Sequence, residues 1–360
     1  MPLNATALGL ISRKLLGGLF EFGYLYSIAG YDIFAGEILL SSAVLIIMAI
    51  LSIRGVSVGG NLQAGLAIAL VASVLLICAA AIISPQTSLE NLQPGFPEGQ
   101  SSIAGILAIV AVAPWAFIGF DSVPQTAEEF SFSAGKATRI MIIAVVFGAF
   151  VYIALNTITA SIMPWPELLE KNLDWPIGDV VETLMGKGGL FILGIALISA
   201  VLTDINGFFM ATSRLMYSVA QQGVIPAFFS HVDKKSRTPK NAILFVLIIS
   251  LIAPWFGREV LGWIVDMSSI GAAIGFTYTC AACFSTIRRS NDRKPLLKVF
   301  SVLGSFFGFI FLLLLIVPGM PTFLATPSLV CLFIWIALGI AFALASRNKD
   351  ILSNTHDVQN

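Results

Sequence analysis

Charge is what this sequence has least of. Asp, Glu, Lys and Arg make up 11% of its 360 residues, against about a quarter in a soluble domain. With 57% of residues hydrophobic and a mean hydropathy of +0.92, that shortage excludes an ordinary water-soluble fold. It points to an all-α polytopic membrane protein, with the lipid bilayer as its surroundings. The 20 basic and 20 acidic residues cancel, so no charge excess favours nucleic acid as a partner. Four cysteines do not make a disulfide framework, and Cys280 and Cys283 lie in an apolar run without a His or acidic ligand nearby. They read as small packing residues one helical turn apart. His231 and His356 lie in polar segments with no metal or triad partner. Neither G-x-x-x-x-G-K-[ST] nor H-E-x-x-H occurs. Nucleotide-driven pumping and H-E-x-x-H zinc hydrolysis therefore have no support, and no enzyme activity, cofactor or metal is expected. A secretory signal with a charged start and a small-residue cleavage site is also missing.

What is present is a series of apolar stretches of bilayer length, about 20 residues each. They fall near 33–53, 61–83, 103–127, 140–163, 188–221, 240–257, 260–287, 299–317 and 328–346. Pro318, Pro321 and Pro327 divide the charge-free run between Lys298 and Arg347 into two spans. The start reads two ways. "MPLNATALGLIS" is too short to cross alone, and "LLGGLFEFGYLYSIAGYD" (15–32) is either a span or an interfacial segment, carrying Glu21 and four glycines.

Lys and Arg set the orientation. Segments 128–139, 223–240, 288–298 and 347–360, with Arg54 and Arg214, hold 15 of the 20 basic residues. They alternate with acidic or charge-poor segments at 84–102, 164–187, 256–259 and 318–327. The basic side is expected to be cytoplasmic, the C-terminus included, in a plasma (inner) membrane.

One stretch breaks the pattern. "PWAFIGFDSVPQTAEEF" (114–130) opens as a span, then sets Gly119, Asp121 and Pro124 within six positions. Glycine permits unusual backbone angles, and proline removes a donor and hinders the preceding turn. An ionised carboxylate at mid-membrane costs about 2.5–3.5 kcal/mol on insertion scales. These features read as a discontinuous helix, unwound after about Phe117 and resuming through Glu129. The freed backbone groups and half-helix dipoles suit a zwitterionic or anionic small molecule. The plainer reading is a proline-kinked helix with Asp121 near the interface. Other acids in apolar runs are Asp204, in "LISAVLTDINGFFMATSRLMYSVA", Asp266 and Glu21. Asp204, mid-span, reads as a coupling or gating residue, or more plainly as an acid snorkelling near an interface or making an interhelix hydrogen bond, and Asp266 as an interfacial acid. Glu128 and Glu129 are expected at the cytoplasmic mouth, within reach of Lys136 or Arg139. "GAAIG" (271–275) is a small-xxx-small pattern that lets helices approach closely.

"WAFIGFDSVPQTAEEF" resembles the broken sixth helix of the amino acid–polyamine–organocation superfamily of permeases. "DINGFFMATSRLMYSVAQQGVIPAFFSHVDKKSRTPKNA" resembles its eighth helix and following loop. The resemblance implies a LeuT-type inverted-repeat fold with alternating access about a central site. It implies substrate-binding roles for Trp115 as an aromatic gate, for Phe117, Ile118 and Gly119 as unwound backbone, for Asp121 as an acidic gate and for Phe208 as an aromatic wall.

The same resemblance divides the chain. Residues 1–32 match a partial third helix and an outer segment, and 33–83 the rest of the first repeat. Residues 103–287 match a complete second repeat, 299–346 two C-terminal helices and 347–360 a cytoplasmic tail. About nine full spans plus a partial one result, N-terminally truncated, with Arg13 and Lys14 outside against the charge rule. The family's first-helix Gly-Ser-Gly motif is absent, and Leu70 stands near the place where some relatives carry a coupling lysine. The expected function is secondary transport of amino acids or related amines, with H+ or Na+ as coupling ion. The alternative is a non-transporting remnant or structural membrane partner.

Overall fold

A computed structural model of the chain describes residues 1–97, 99, 101–120, 122–125, 132–171, 175–233, 236–290, 295–320 and 323–340. The chain forms two compact units. One comprises Met1–Gly95 and Gly119–Leu261, the other Phe96–Ile118 and Gly262–Asn360.

In the first unit, α1 (Pro2–Leu16) has proline in its opening turn and ends on Gly17, in the left-handed region at φ 60. The missing proline N–H would be unused there, and glycine reaches that φ without strain. Next comes an antiparallel hairpin, β1 (Tyr24–Ile28) and β2 (Tyr31–Phe34). Its two-residue turn, Ala29–Gly30, has positive φ at both positions, 52 and 81, the geometry whose twist matches paired strands. The span considered for 15–32 is therefore not formed. The glycines end the helix and the alternating aromatic residues pair instead.

Then follow α2 (Ala35–Arg54), α3 (Val56–Ile83), α5 (Ser122–Gln125), α6 (Ala134–Ile162), α7 (Trp165–Glu170), α8 (Pro176–Gln221) and α9 (Lys240–Ile252). α8 begins twelve residues before the expected span. Pro176 lies in its first turn with Asp179, and both favour a helix start. Gly186, at φ 65 and ψ −159, interrupts it. The core joins Ala5, Leu8 and Ile11 of α1 to Leu45, Met48 and Ala49 of α2. It also takes Val201, Ile205 and Phe209 from α8 and Ile243 and Val246 from α9. Steps of three and four keep each set on one helix face. Lipid offers no hydrophobic reason for helices to associate, so close packing and hydrogen bonds must do it. Ser41 Oγ accordingly donates to the Ala5 carbonyl at 3.0 Å.

The second unit contains α4 (Ser102–Ala116), most of α10 (Gly257–Arg289), α11 (Pro295–Ile316) and α12 (Thr326–Ile340). Ile270, Leu315 and Leu324 form its core. The close approach expected at 271–275 is made elsewhere. A Cβ on Gly271 or Gly275 would meet nothing within 4 Å, whereas one on Gly304 would come 2.5 Å from Cys280 Sγ. The small residues that matter are on α11, and Cys280 packs against them as a free thiol.

Six helices among the described residues are long and apolar enough to cross a membrane, and two shorter apolar ones, Lys240–Phe256 and Thr326–Ile340, accompany them. Ile82 and Ile83 at the end of α3 are 80% and 81% exposed, an apolar surface that lipid would cover favourably. The chain is an all-α polytopic integral membrane protein.

Candidate functional site

α4 ends at Ala116, residues 117–120 form a turn, and α5 starts at Ser122. The stretch is therefore not continuous helix. Gly119 has φ 127, a value that a residue with a Cβ rarely adopts. Pro124 lies in the first turn of α5, where its missing N–H is unused. Its ring disfavours helix in the turn before it, which is where the break lies.

The Gly119 carbonyl accepts from Ser122 N at 3.1 Å and from Ser122 Oγ at 2.5 Å, and the Phe120 carbonyl accepts from Val123 N at 3.3 Å. Short i→i+3 bonds replace helical ones here. Ser122 was missed from sequence, although a serine two residues before a proline is a ready local cap. Phe117 and Ile118 are half-buried turn residues. Asp121, Glu128 and Glu129 lie outside the described residues, as does the side chain of Trp115, whose backbone lies in the last turn of α4. Phe208 is half-buried on α8, next to the fully buried Phe209, and α5 packs against α8.

The middle of α8 is a second polar locus. Asn4 Nδ2 on α1 donates to Asp204 Oδ2. Asn206 Nδ2 donates to Gln63 Oε1 on α3 at 2.7 Å. Of the readings open for Asp204, the structure shows an interhelix hydrogen bond. Its partner was missed, because an asparagine near a chain start carries no signal until α1 is packed. Asp266, on α10 in the other unit, accepts from Ser328 Oγ at 3.1 Å.

Ion pairs tie the first unit together at the far end of α1. Arg13 meets Glu37 at 2.6 and 2.9 Å and Glu21 at 3.2 Å. Its guanidinium also lies over the rings of Tyr31 and Phe34. Lys14 pairs with Asp179 and, at 3.8 Å, with Glu182. The hydrogen bond to Asp179 raises the Lys14 ammonium above its usual range. Leu70 lines a small apolar cavity with Phe147 and Phe150, so its place on α3 carries no base.

The sequence profile of the family described as "Amino acid permease" matches residues 16–342. A vacuolar cationic amino acid transporter 4 of Arabidopsis thaliana is 27% identical over 54% of this chain and 31% of its own length. A branched-chain amino acid permease of Bacillus subtilis (strain 168) is 25% identical over 75% of this chain and 52% of its own length. The methylthioribose transporter of the same bacterium is 24% identical over 86% and 64%. The chain thus spans between about a third and two-thirds of the length of these relatives.

Proposed function

Because the chain belongs to the amino acid permease family, we propose that it is a secondary transporter of amino acids or related amines, without covalent chemistry. The observation that carries this is the helix break at 117–120 within a family-matched span. Backbone freed from helical bonding there can bind the charged ends of a small solute. Trp115 gates the site, Phe117, Ile118 and Gly119 line it, Asp121 sets its charge and Phe208 forms a wall. The cycle rocks one repeat of a LeuT-type fold against the other and is coupled to H+ or Na+. The protein resides in the plasma membrane with its C-terminus inside. In that orientation Ser88→Cys reacts with an impermeant thiol reagent from outside and Ser236→Cys does not. The reverse pattern would invert the topology.

The test of transport is uptake of the common amino acids, with methylthioribose added because one relative carries it. Membrane vesicles from cells with the native gene, with its deletion and with Trp115→Ala would be compared. Deletion should remove saturable uptake of at least one solute. Trp115→Ala should lower it about tenfold, the effect of losing about 1.4 kcal/mol of contact. The second reading is a structural membrane partner. Unchanged uptake of every solute on deletion would select it.

A further inference from the structure

The carboxylate in the middle of α8 has no role in the site at 117–121. Asp204 lies 17 residues from Lys187 and 10 from Arg214, the neighbouring charges along the helix. At 1.5 Å per residue these are about 25 and about 15 Å away. The Asn4 amide of α1 donates to it, and the Met1 amine of α1 and the Tyr152 phenol of α6 lie within electrostatic reach. Among the described residues it forms no ion pair with a Lys, Arg or His side chain. Next to it, the buried Thr203 hydroxyl has no hydrogen-bond partner among the described residues. On the opposite side of α8, Asn206 is engaged by Gln63 of α3. The helix is thus held from both sides by amides at the turn that carries Asp204.

An ionised carboxylate at that depth is costly unless neutralised. Asn4 supplies a hydrogen bond but no charge, and it can serve either form of the acid. Its N–H₂ donates to a carboxylate, and after the amide turns over its carbonyl accepts from a carboxylic O–H. A proton needs one oxygen.

Resting on the transport reading above, we propose that Asp204 carries the coupling proton. Water on the outer side protonates the carboxylate, one O–H bond forming. The neutral acid keeps its contact with Asn4 while the transporter turns inward. The proton then leaves to inner water, and no other bond changes. This makes the protein a proton symporter in which α1 and α8 stay joined through the cycle.

The test uses vesicles holding the wild-type protein, Asp204→Asn, Asp204→Glu, Tyr152→Phe and a protein with an N-terminal extension that moves the amine away from Asp204. Two readouts are compared: accumulation driven by an inward proton gradient, and solute counterflow without a gradient. One proton per solute gives about tenfold accumulation for about one pH unit, since one unit is a factor of ten. Asp204→Asn should abolish that accumulation, leave counterflow intact and flatten its pH profile. Asp204→Glu should keep coupling with a displaced pH profile. Tyr152→Phe and the extended protein should behave as wild type.

Gradient-driven accumulation by Asp204→Asn would overturn the proposal. So would a pH profile that follows Tyr152 or the amine instead. Loss of counterflow in Asp204→Asn for positively charged solutes alone would also overturn it, assigning the carboxylate to the substrate's ammonium. Should Asp204→Asn not reach the membrane, an undisplaced pH profile in Asp204→Glu decides against it. Wild-type vesicles that move no solute would refute the transport reading itself, a result separate from all of these.

Discussion

Around Asp204 and Asn206, α8 carries polar groups without leaving the helix, whereas the segment from Ser102 to Gln125 gives up its helix at 117–120. The first brings polarity as side chains, each engaged by an amide from another helix. The second brings it as backbone, at a glycine whose φ of 127 few residues could adopt. A helix that stays intact keeps its own N–H and C=O groups occupied, so whatever it offers must come from titratable or amide side chains. A helix that breaks offers backbone dipoles, which do not titrate. The division of labour proposed above, solute at the break and proton on α8, follows from that difference.

The largest effect is expected from forcing the break to close. Gly119→Val places a β-branched residue at φ 127, where no neighbour lies within 4 Å of the added Cβ. The consequence is backbone strain rather than crowding, about 1–3 kcal/mol. Relief of that strain toward helix should reduce uptake by on the order of a hundredfold while the protein still inserts. Wild-type uptake by this variant would remove the distinction between the two segments.

A smaller effect should separate stability from function on α8. Asn4→Leu strips Asp204 of its amide donor, and hydrogen bonds to charged groups are worth about 1.5–3 kcal/mol. The unfolding temperature in detergent should fall accordingly. Adding Asp204→Leu should recover most of the loss, because removing both partners is nearly neutral. A double variant no more stable than Asn4→Leu would mean that the carboxylate serves packing rather than coupling.

The smallest effects should come where neither device operates. Gly304→Ala brings a Cβ against Cys280 and should cost about 1 kcal/mol or more in stability by overpacking. Gly271→Ala, in open space, should be neutral or slightly stabilising within its helix. Equal effects from the two would restore 271–275 as a packing site.

Hydropathy was sufficient to place α2, α3, α6, α9, α10 and α11 to within six residues at each end, because lipid-facing helices must be apolar over bilayer length. The break was legible too, from Gly119 and Pro124, since both act on local backbone. The early start of α8 was hidden by Asp179, Glu182 and Lys187, which lower hydropathy without opposing helix formation. The hairpin at 24–34 was hidden because its register depends on the Ala29–Gly30 turn. Which amide meets Asp204, and which glycines allow close approach, are properties of packed pairs, and neither member alone reports them.

The central claim is that a solute binds at the break. It is tested most directly with Ile118→Cys in a background lacking Cys78, Cys280, Cys283 and Cys331, by the rate at which a small thiol reagent modifies it. Saturating substrate should slow that rate about tenfold or more, as expected for a site occupied most of the time at concentrations well above its dissociation constant. A rate unchanged by every solute that the wild-type protein transports would contradict the claim and move the binding site away from 117–121.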